Sequence, residues 1–409
     1  MLEDTRLQAY ASIMIPQVLV LADDMTGALE AGAAFAAAGI DSAVSTVLHF
    51  ASASQATEVS VLIVDTETRH VTAEQAYRRV FNLASESRAQ GVRYLFKKTD
   101  STLRGNVAAE LSAVGAAWEG APVVYLPAYP KLERTVRDGV LRVAGRPVSQ
   151  TSFAGDRWNP VRESHILTLL QQAGLTLPLT ALRPEQIHCS KGASVYVVDG
   201  ESEEEVRSCV ESLARRTEPY IMAGPDIMAG PAGLAHHFAK AVELARRVPP
   251  SLPSVRNGLV VNGSLHAASL DQLSQAISRG LPAVEPVGVP AAVARFKWAI
   301  LRIPAIETQD GAEFARRVGA MVGEVLKSVK LDTLVVFGGD TLFGITCALG
   351  SPPLRCLGEV LPGVPASLIA PALPGFPPDR ENGLLLVSKA GGFGDVDVIM
   401  RIRERLTEA

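Results

Sequence analysis

The sequence lacks the features of secreted, membrane-spanning and zinc-binding proteins. It has four cysteines in 409 residues and no CxxC pair, so we predict reduced thiols in a cytoplasmic protein without a zinc site. Residues 1–15 have neither a basic start nor a long apolar run, so we predict an appendage to the fold and no signal peptide. No charge-free run of about 18 apolar residues occurs, so no membrane span is predicted.

Basic charge and the common nucleotide-binding motifs are also missing. The formal net charge is −4, whereas nucleic-acid-binding domains usually carry a basic excess, so we predict no nucleic-acid partner. The pattern GxxxxGK[ST] is absent, which argues against a P-loop. No complete GxGxxG occurs, which argues against an ordinary dinucleotide-binding site.

Short apolar runs alternate with amphipathic, alanine-rich stretches along the whole chain. The runs at 17–22, 61–66 and 93–98 predict buried strands, and the stretches at 26–39 and 72–90 predict helices. Continuous apolar strands between helices indicate a sheet that is covered on both faces. We therefore predict an α/β fold with largely parallel or mixed sheets flanked by helices.

The length and one proline-rich stretch predict two domains. A chain of 409 residues exceeds one ordinary core of about 100–200 residues, and 249–258 (PPSLPSVRNG) is typical of a linker. We predict an N-terminal domain over 1–248 and a dissimilar C-terminal α/β domain over 259–409, with the active site in the cleft between them.

Three further stretches give local predictions. We predict a strand at 220–224 and a helix at 233–248. Residues 351–380 are rich in proline and lack a helical pattern, which predicts irregular or antiparallel structure.

Polar residues follow three of the predicted strands in the N-terminal half. Ligands of open α/β sheets bind beyond the carboxyl ends of the strands, so neighbouring strands would place these side chains in one crevice. Carboxylates and cations together suit a ligand that has an anionic end and several hydroxyls. The alternative is structural, since Asp24 is also suited to cap a helix, as are Asp100 and Ser101. The crevice residues are Asp23, Asp24, Arg69, Lys98, Asp100, Ser101 and Arg104.

Small residues follow three predicted strands of the C-terminal half and precede helices. Such turns let backbone N–H groups approach phosphate oxygens at a helix N-terminus. One turn of this kind is a weak signal, but three in one domain favour a nucleotide phosphate site. The turns contain Gly263 and Ser264, then Gly338, Gly339, Asp340 and Thr341, and then Gly391, Gly392, Phe393 and Gly394.

The two halves together predict a small-molecule kinase. Two alternatives stay open at this point. An oxidoreductase acting on hydroxy acids would fit the α/β halves but would be expected to carry GxGxxG. A non-catalytic sugar-acid-binding protein would need no phosphate site.

Longer motifs resemble the four-carbon acid sugar kinase family, and they occur in family order over nearly the full chain. They include LADDMTGA (21–28), DTETR (65–69), KKTDSTLRGN (97–106), GGDT (338–341) and SKAGGFGD (388–395). The chain departs from the usual family pattern at Ala390–Gly392, where many members have Ser-Gly-Asn.

The resemblance implies ATP-dependent phosphorylation of the terminal hydroxyl of threonate, erythronate or a 3-oxo-tetronate. It implies an acid-sugar-binding N-terminal domain and a nucleotide-binding C-terminal domain. The implied sugar contacts are an aspartate of the Asp23–Asp24 pair, Arg69, Lys98, Thr99, Asp100 and Ser101. The implied ATP contacts are Ser264 and the turns 338–341 and 391–394.

We expect in-line phosphoryl transfer with Mg²⁺ bridging the phosphates. Arg69 or Lys98 would anchor the sugar carboxylate, and Asp24 or Asp340 would act on the attacking hydroxyl. The sequence does not choose within either pair. The oligomeric state is open, with a homodimer as one option.

Overall fold

A computed structural model describes residues 15–189, 192, 194–214, 227–308, 310–370 and 383–408. The N-terminal half of these residues alternates strands and helices, as predicted. Its elements are β1 (Val18–Ala22), α1 (Met25–Ala37), β2 (Ser42–Ser45), α2 (Phe50–Thr57), β3 (Val61–Asp65), α3 (Ala73–Ala89), β4 (Tyr94–Lys98), α4 (Val107–Ala117), β5 (Val123–Tyr125), β6 (Arg134–Arg137), β7 (Val140–Val143), β8 (Arg146–Pro147), α5 (Ile166–Gln172), β9 (Leu179–Leu182), β10 (Val195–Val198), α6 (Glu203–Ala214), β11 (Ile227–Gly230) and α7 (Ala232–Ala241).

The C-terminal half repeats the alternation and adds an antiparallel hairpin. Its elements are β12 (Gly258–Asn262), α8 (Ala267–Ser278), β13 (Ala283–Val284), α9 (Val289–Phe296), β14 (Trp298–Leu301), α10 (Gly311–Ser328), β15 (Thr333–Phe337), α11 (Gly339–Ala348), β16 (Leu354–Leu361), β17 (Val364–Ile369), β18 (Leu384–Lys389) and α12 (Val398–Thr407).

One sheet runs through both halves. Its order is β13-β14-β12-β15-β18-β17-β16-β2-β3-β1-β4-β11-β5-β10-β9, and β6-β7-β8 form a separate antiparallel sheet. Within the large sheet, the pairs β18–β17, β17–β16 and β16–β2 are antiparallel, and the other pairs are parallel. The α/β prediction is confirmed. The two halves are joined where Leu354 and Arg355 of β16 pair with Val44 and Ala43 of β2.

Helix α1 is buried on almost every side because it packs where the two halves meet. It lies against β16, β17, α7 and α11, and a helix that is covered on every side is expected to be apolar on every side. Small residues make close packing possible. A Cβ atom at Gly32 would lie 2.3 Å from the Cys356 sulfur of β16.

One helix prediction is wrong, and one strand prediction falls on residues that the structure does not describe. The helix predicted over 233–248 ends at Ala241, because Val242 has extended dihedrals and Arg247 donates its N–H to the Gly39 carbonyl at 2.7 Å. The strand predicted over 220–224 lies outside the described residues, and the strand that joins the sheet is Ile227–Gly230, the second copy of the sequence IMAG. Antiparallel structure within 351–380 is confirmed by β16 and β17.

The core is continuous between the halves. One cluster of buried apolar residues includes β1, β3 and β4 as well as residues of α9, α10 and α11. A second cluster lies within the C-terminal half, among β12, β15, β18 and α12. Among the described helices, none is long and apolar enough to cross a membrane.

Candidate active site

The strands β3, β1 and β4 are neighbours, so their polar ends lie at one edge of the sheet. Ala22 at the end of β1 pairs with Asp65 on one side and with Lys98 on the other. The residues that follow each strand therefore emerge together, as expected for adjacent parallel strands. The predicted crevice in the N-terminal half is formed by these three ends.

Arg69 is the centre of the charged cluster. Its Nη2 lies 2.6 Å from Asp23 Oδ2 and its Nη1 lies 2.7 Å from Asp24 Oδ2, and Asp100 Oδ1 is 3.6 Å from Nη2. Burial disfavours the charged form of Arg69, but these carboxylates outweigh it and raise the Arg69 pKa well above its ordinary value. Burial likewise opposes the charge of Asp23, yet Arg69 and Lys98 lower its pKa.

Consecutive lysines of β4 point to opposite sides of the strand. Lys98 Nζ lies 3.5 Å from Asp23 Oδ1 and 3.7 Å from Asp24 Oδ1. Glycine at position 27 leaves room for this ammonium group, because a Cβ atom there would be 1.9 Å from Nζ. Lys97 instead makes a fully buried ion pair with Glu110, at 3.2 Å.

Asp100 holds the loop between β4 and α4. Its Oδ2 accepts the Thr102 N–H at 2.9 Å, and its Oδ1 lies 2.8 Å from Arg104 Nη2. Burial opposes the Asp100 charge, but Arg104 and Arg69 hold its pKa well below the ordinary range. Asp100 does not cap α4, whose N-cap is Asn106. Arg104 also reaches Asp156 Oδ2 at 3.4 Å.

Two residues of the predicted run after β4 differ in accessibility. Thr99 is fully buried, and its N–H bonds to the Gly230 carbonyl at 3.0 Å, so its side chain does not reach the cleft surface. Ser101 is partly exposed beside Asp100.

The glycine turns of the C-terminal half also meet at one edge of the sheet. Strands β12, β15 and β18 are neighbours, with Asn262 paired to Phe337 and Phe337 paired to Lys389. The turn after β18 touches the turn after β12, since a Cβ atom at Gly391 would lie 2.2 Å from Ser264 Oγ. Within the turn after β18, the Phe393 ring packs against Gly363.

The two clusters approach each other where α1 and α11 begin. A Cβ atom at Gly339 would lie 2.7 Å from Thr26 Oγ1, so the start of α11 contacts the start of α1. Asp24 caps α1 by accepting the Gly27 N–H at 3.0 Å. The helix-cap role considered for Asp24 is therefore present, and its role in a site stays a prediction. Asp340 is exposed in the first turn of α11.

Glu67 lies at the same junction and was missed from the sequence. Burial raises the pKa of Glu67 to about 7. A hydrogen bond with Asp65 opposes the rise, and the negative charges of Asp340 and Asp24 increase it. Its backbone is left-handed, with φ of 46°. The motif DTETR contains this residue, but no pattern in the motif distinguishes its glutamate from its neighbours.

Arg134 at the start of β6 was also missed. Burial lowers its pKa despite the nearby Asp100, and its Nε is buried without a hydrogen-bond partner among the described residues. Arg69, Lys98 and Arg104 are already paired with aspartates. Arg134 is therefore the less neutralised cation of this region among the described residues. No local pattern around residue 134 indicates this, because its proximity to Asp100 comes from the tertiary fold.

Within the part of the chain that the structure describes, no three histidine, cysteine or carboxylate side chains are grouped to hold a metal ion. Carboxylate oxygens are nevertheless present at the junction on Asp24, Glu67 and Asp340. Magnesium usually takes one or two carboxylates and completes its shell with phosphate and water oxygens. The donor set therefore fits an ion that arrives with a nucleotide.

Comparison with known proteins identifies both halves. A family model described as a sugar-binding N-terminal domain matches residues 18–238, and one described as a nucleotide-binding C-terminal domain matches residues 300–399. The chain is 31% identical over 427 residues to a D-threonate kinase of Bordetella bronchiseptica, covering 96% of this chain and 98% of that protein.

A further relative supports the family, and a solved structure supports the fold. A 3-oxo-tetronate kinase of Cupriavidus necator is 26% identical over 93% of this chain and 95% of its own length. A crystal structure of a Salmonella typhimurium protein has the same fold, with a TM-score of 0.73 at 18% identity, over 94% of this chain and 98% of that one. The chain belongs to the four-carbon acid sugar kinase family, and it is a small-molecule kinase.

Proposed function

We propose that the protein transfers the γ-phosphate of ATP to the terminal hydroxyl of a four-carbon acid sugar. The observation that carries the proposal is the contact between Thr26 and Gly339. It brings a paired-charge cluster suited to a hydroxy acid next to glycine turns suited to phosphates. The D-threonate and 3-oxo-tetronate kinases that the chain resembles act on substrates of this size, which supports threonate or a 3-oxo-tetronate, with erythronate as a further option.

The substrate would bind among the residues that follow β1, β3 and β4. Its hydroxyls would donate to the carboxyl oxygens of Asp23, Asp24 and Asp100. Arg69 and Lys98 hold the first two, and Arg104 holds Asp100. Its carboxylate needs a cation that retains free hydrogen-bond donors. Arg69, Lys98 and Arg104 are already paired with aspartates. Arg134, whose Nε has no hydrogen-bond partner among the described residues, is the guanidinium group that we propose binds the substrate carboxylate.

The nucleotide phosphates would bind at Ser264 and at the turns 338–341 and 391–394. The start of α11 adds the favourable end of a helix dipole for an anion. Magnesium bound with ATP would neutralise phosphate charge, and Asp340, which belongs to the turn, is the carboxylate that we propose holds it.

The attacking hydroxyl would lie near the junction of the two clusters, where three carboxylates are available. Asp24 is bonded to Arg69 and to the Gly27 N–H, so its carboxylate is held in place and would orient the hydroxyl. Glu67, with a pKa of about 7, is better matched to accept the proton at neutral pH. Positioning and charge neutralisation would supply most of the acceleration.

A coupled assay of ADP release with purified protein, Mg·ATP and a tetronate panel tests the proposal. We expect turnover with at least one tetronate, and a loss of kcat/KM of at least about a hundredfold in Asp24→Asn and Lys98→Ala. Lys327→Ala, an exposed lysine paired with Glu324, is the matched control and should behave as the wild type. Wild-type kcat/KM in Lys98→Ala would show that the charged cluster is structural.

The assay also separates the alternative functions. Protection against heat by NAD but not by ATP would favour an oxidoreductase. A tetronate that binds tightly without ADP production would favour a binding protein.

A further inference from the structure

A buried lysine holds the turn that follows β18. Lys389 Nζ donates to the carbonyl groups of Ala390 at 2.7 Å, Gly391 at 3.2 Å and Phe393 at 2.7 Å. An ammonium group has three N–H donors, so all of them are used within this turn. The side chain is 1% exposed, and the contact is therefore internal to the fold.

Two side chains of α8 hold the same turn. Gln272 Nε2 donates to the carbonyl groups of residues 393–395, at distances between 2.8 and 3.1 Å. Ser269 Oγ donates to the Gly391 carbonyl at 2.6 Å. Both side chains are buried. The carbonyl groups of the turn thus point toward Lys389 and α8.

The geometry of the peptide unit fixes where the N–H groups of the turn point. In a planar trans peptide, the carbonyl of one residue and the N–H of the next point in opposite directions. The carbonyls of Ala390, Gly391 and Phe393 point at Lys389, so the N–H groups of Gly391, Gly392 and Gly394 point away from it. Successive N–H groups on one side of a turn form an anion-binding concavity.

Lys389 has no acidic partner among the residues that the structure describes. Phe337 of β15 covers the ammonium with its ring, whose centroid lies 4.4 Å from Nζ. Within the described residues no carboxylate forms an ion pair with Lys389, and Asp395 of the turn is bonded to Arg401 instead. His266, the N-cap residue of α8, packs against Gly392. The turn therefore has an uncompensated positive charge beneath it.

We propose that Lys389 and Gln272 are positioning residues for the phosphate-binding turn. By binding the carbonyl groups of residues 390–395 from within the fold, they direct its N–H groups toward the phosphates of the nucleotide. The proposal rests on the proposed nucleotide-dependent function, and it assigns neither side chain to direct contact with ATP.

The arrangement depends on the protonation of Lys389. Burial lowers the Lys389 pKa to about 8. A neutral lysine amine has only two N–H donors, so it cannot donate to all three carbonyl groups. It also lacks the positive charge. The affinity for ATP should therefore fall as the pH rises through about 8.

Calorimetric titration with ATP and with adenosine tests the proposal. We expect Lys389→Met and Gln272→Leu to weaken ATP binding at neutral pH by about tenfold or more. Adenosine binding should stay within about twofold of the wild type, because adenosine has no phosphate. Lys327→Met is the matched control and should retain wild-type affinity for both ligands. Wild-type protein titrated between about pH 7.5 and 9.5 should lose affinity for ATP but not for adenosine.

The outcomes separate this proposal from the kinase assignment. Two results together would refute the positioning role: wild-type ATP affinity in Gln272→Leu, and no loss of ATP affinity by the wild type above pH 8. The kinase assignment would stand in that case if wild-type protein still binds ATP and phosphorylates a tetronate. If the wild-type protein does not bind ATP, both are refuted. The pH series uses unaltered protein, so it decides the question even if Lys389→Met does not fold.

Discussion

The adjacent lysines of β4 should respond to mutation in different ways. Lys97 is fully buried, where it bonds Glu110 at 3.2 Å and the carbonyls of Leu21 and Lys98 at 3.1 and 2.7 Å. Replacing Lys97 with methionine leaves the Glu110 carboxylate buried without its cation. We expect a large loss of stability, whereas Lys98→Met should mainly reduce turnover.

The magnitude follows from the burial of the pair. Removing one partner of a buried ion pair costs about 3–5 kcal/mol. For a chain of this size, with an m-value near or above about 3 kcal/mol/M, the urea midpoint should fall by about 1 M. The double variant Lys97→Met/Glu110→Leu removes both charges and should recover most of that loss.

The pH dependence gives a second signature of the unpaired carboxylate. Burial already raises the Glu110 pKa, with Lys97 opposing the rise, so loss of Lys97 should raise it further. A folded-state pKa above the unfolded value of about 4.3 lowers stability as pH rises, because the unfolded state releases the proton more readily. The stability gap between Lys97→Met and the wild type should therefore narrow as the pH falls toward about 5.

Urea unfolding followed by circular dichroism at several pH values measures both effects. A midpoint shift below about 0.3 M in Lys97→Met would refute the reasoning. A gap that widens at low pH would also refute it, because protonated Glu110 no longer needs a counterion.

Three further predictions concern the cleft. Gly27→Ala should displace the Lys98 ammonium and lower kcat/KM for the tetronate by about tenfold or more, while ATP affinity stays unchanged. Gly155→Ala is the control and should change neither quantity, because a Cβ atom at Gly155 meets open space. Arg69→Lys should lower kcat/KM by about tenfold or more, because one ammonium cannot reproduce the guanidinium fork between Asp23 and Asp24; unchanged steady-state kinetics would contradict this. Wild-type kcat/KM should rise with pH through about 7 if Glu67 accepts the proton, and Glu67→Gln should lack this rise. The same pH profile in Glu67→Gln as in the wild type would exclude Glu67 as the base.

The alternation of strands and helices and the polar strand ends were predictable from the sequence. Apolar runs such as Val61–Asp65 and capped helices such as Ala73–Ala89, with its Thr72 capping box, are determined by neighbouring residues. The positions of Asp23, Arg69 and Lys98 at one edge followed from the parallel order of β3, β1 and β4.

The join between the halves was not predictable in the same way. The pairing of β16 with β2 connects residues about 310 positions apart through two residue pairs, and no local pattern specifies such a partner. Two copies of IMAG offer the same local preference, so the sequence could not select Ile227–Gly230 as the strand of the sheet. The predicted domain boundaries at 248 and 259 stay a prediction.

The roles of individual polar residues depend on tertiary contacts. Lys97 and Lys98 differ by one position, yet the first is a structural ion pair and the second faces Asp23. Lys389 ends an apolar strand, where lysine usually reaches solvent. Its contacts with the turn became visible only once β18 was placed beside Phe337.

Product analysis with Mg·ATP and a tetronate panel tests the central claim most directly. We expect wild-type protein to convert at least one threonate, erythronate or 3-oxo-tetronate to a product phosphorylated on the terminal hydroxyl, with one ADP formed for each product molecule. The Lys98→Ala variant should form little or none. Absence of ADP and of phosphorylated product with every tetronate, from protein that is folded and binds ATP, would contradict the account.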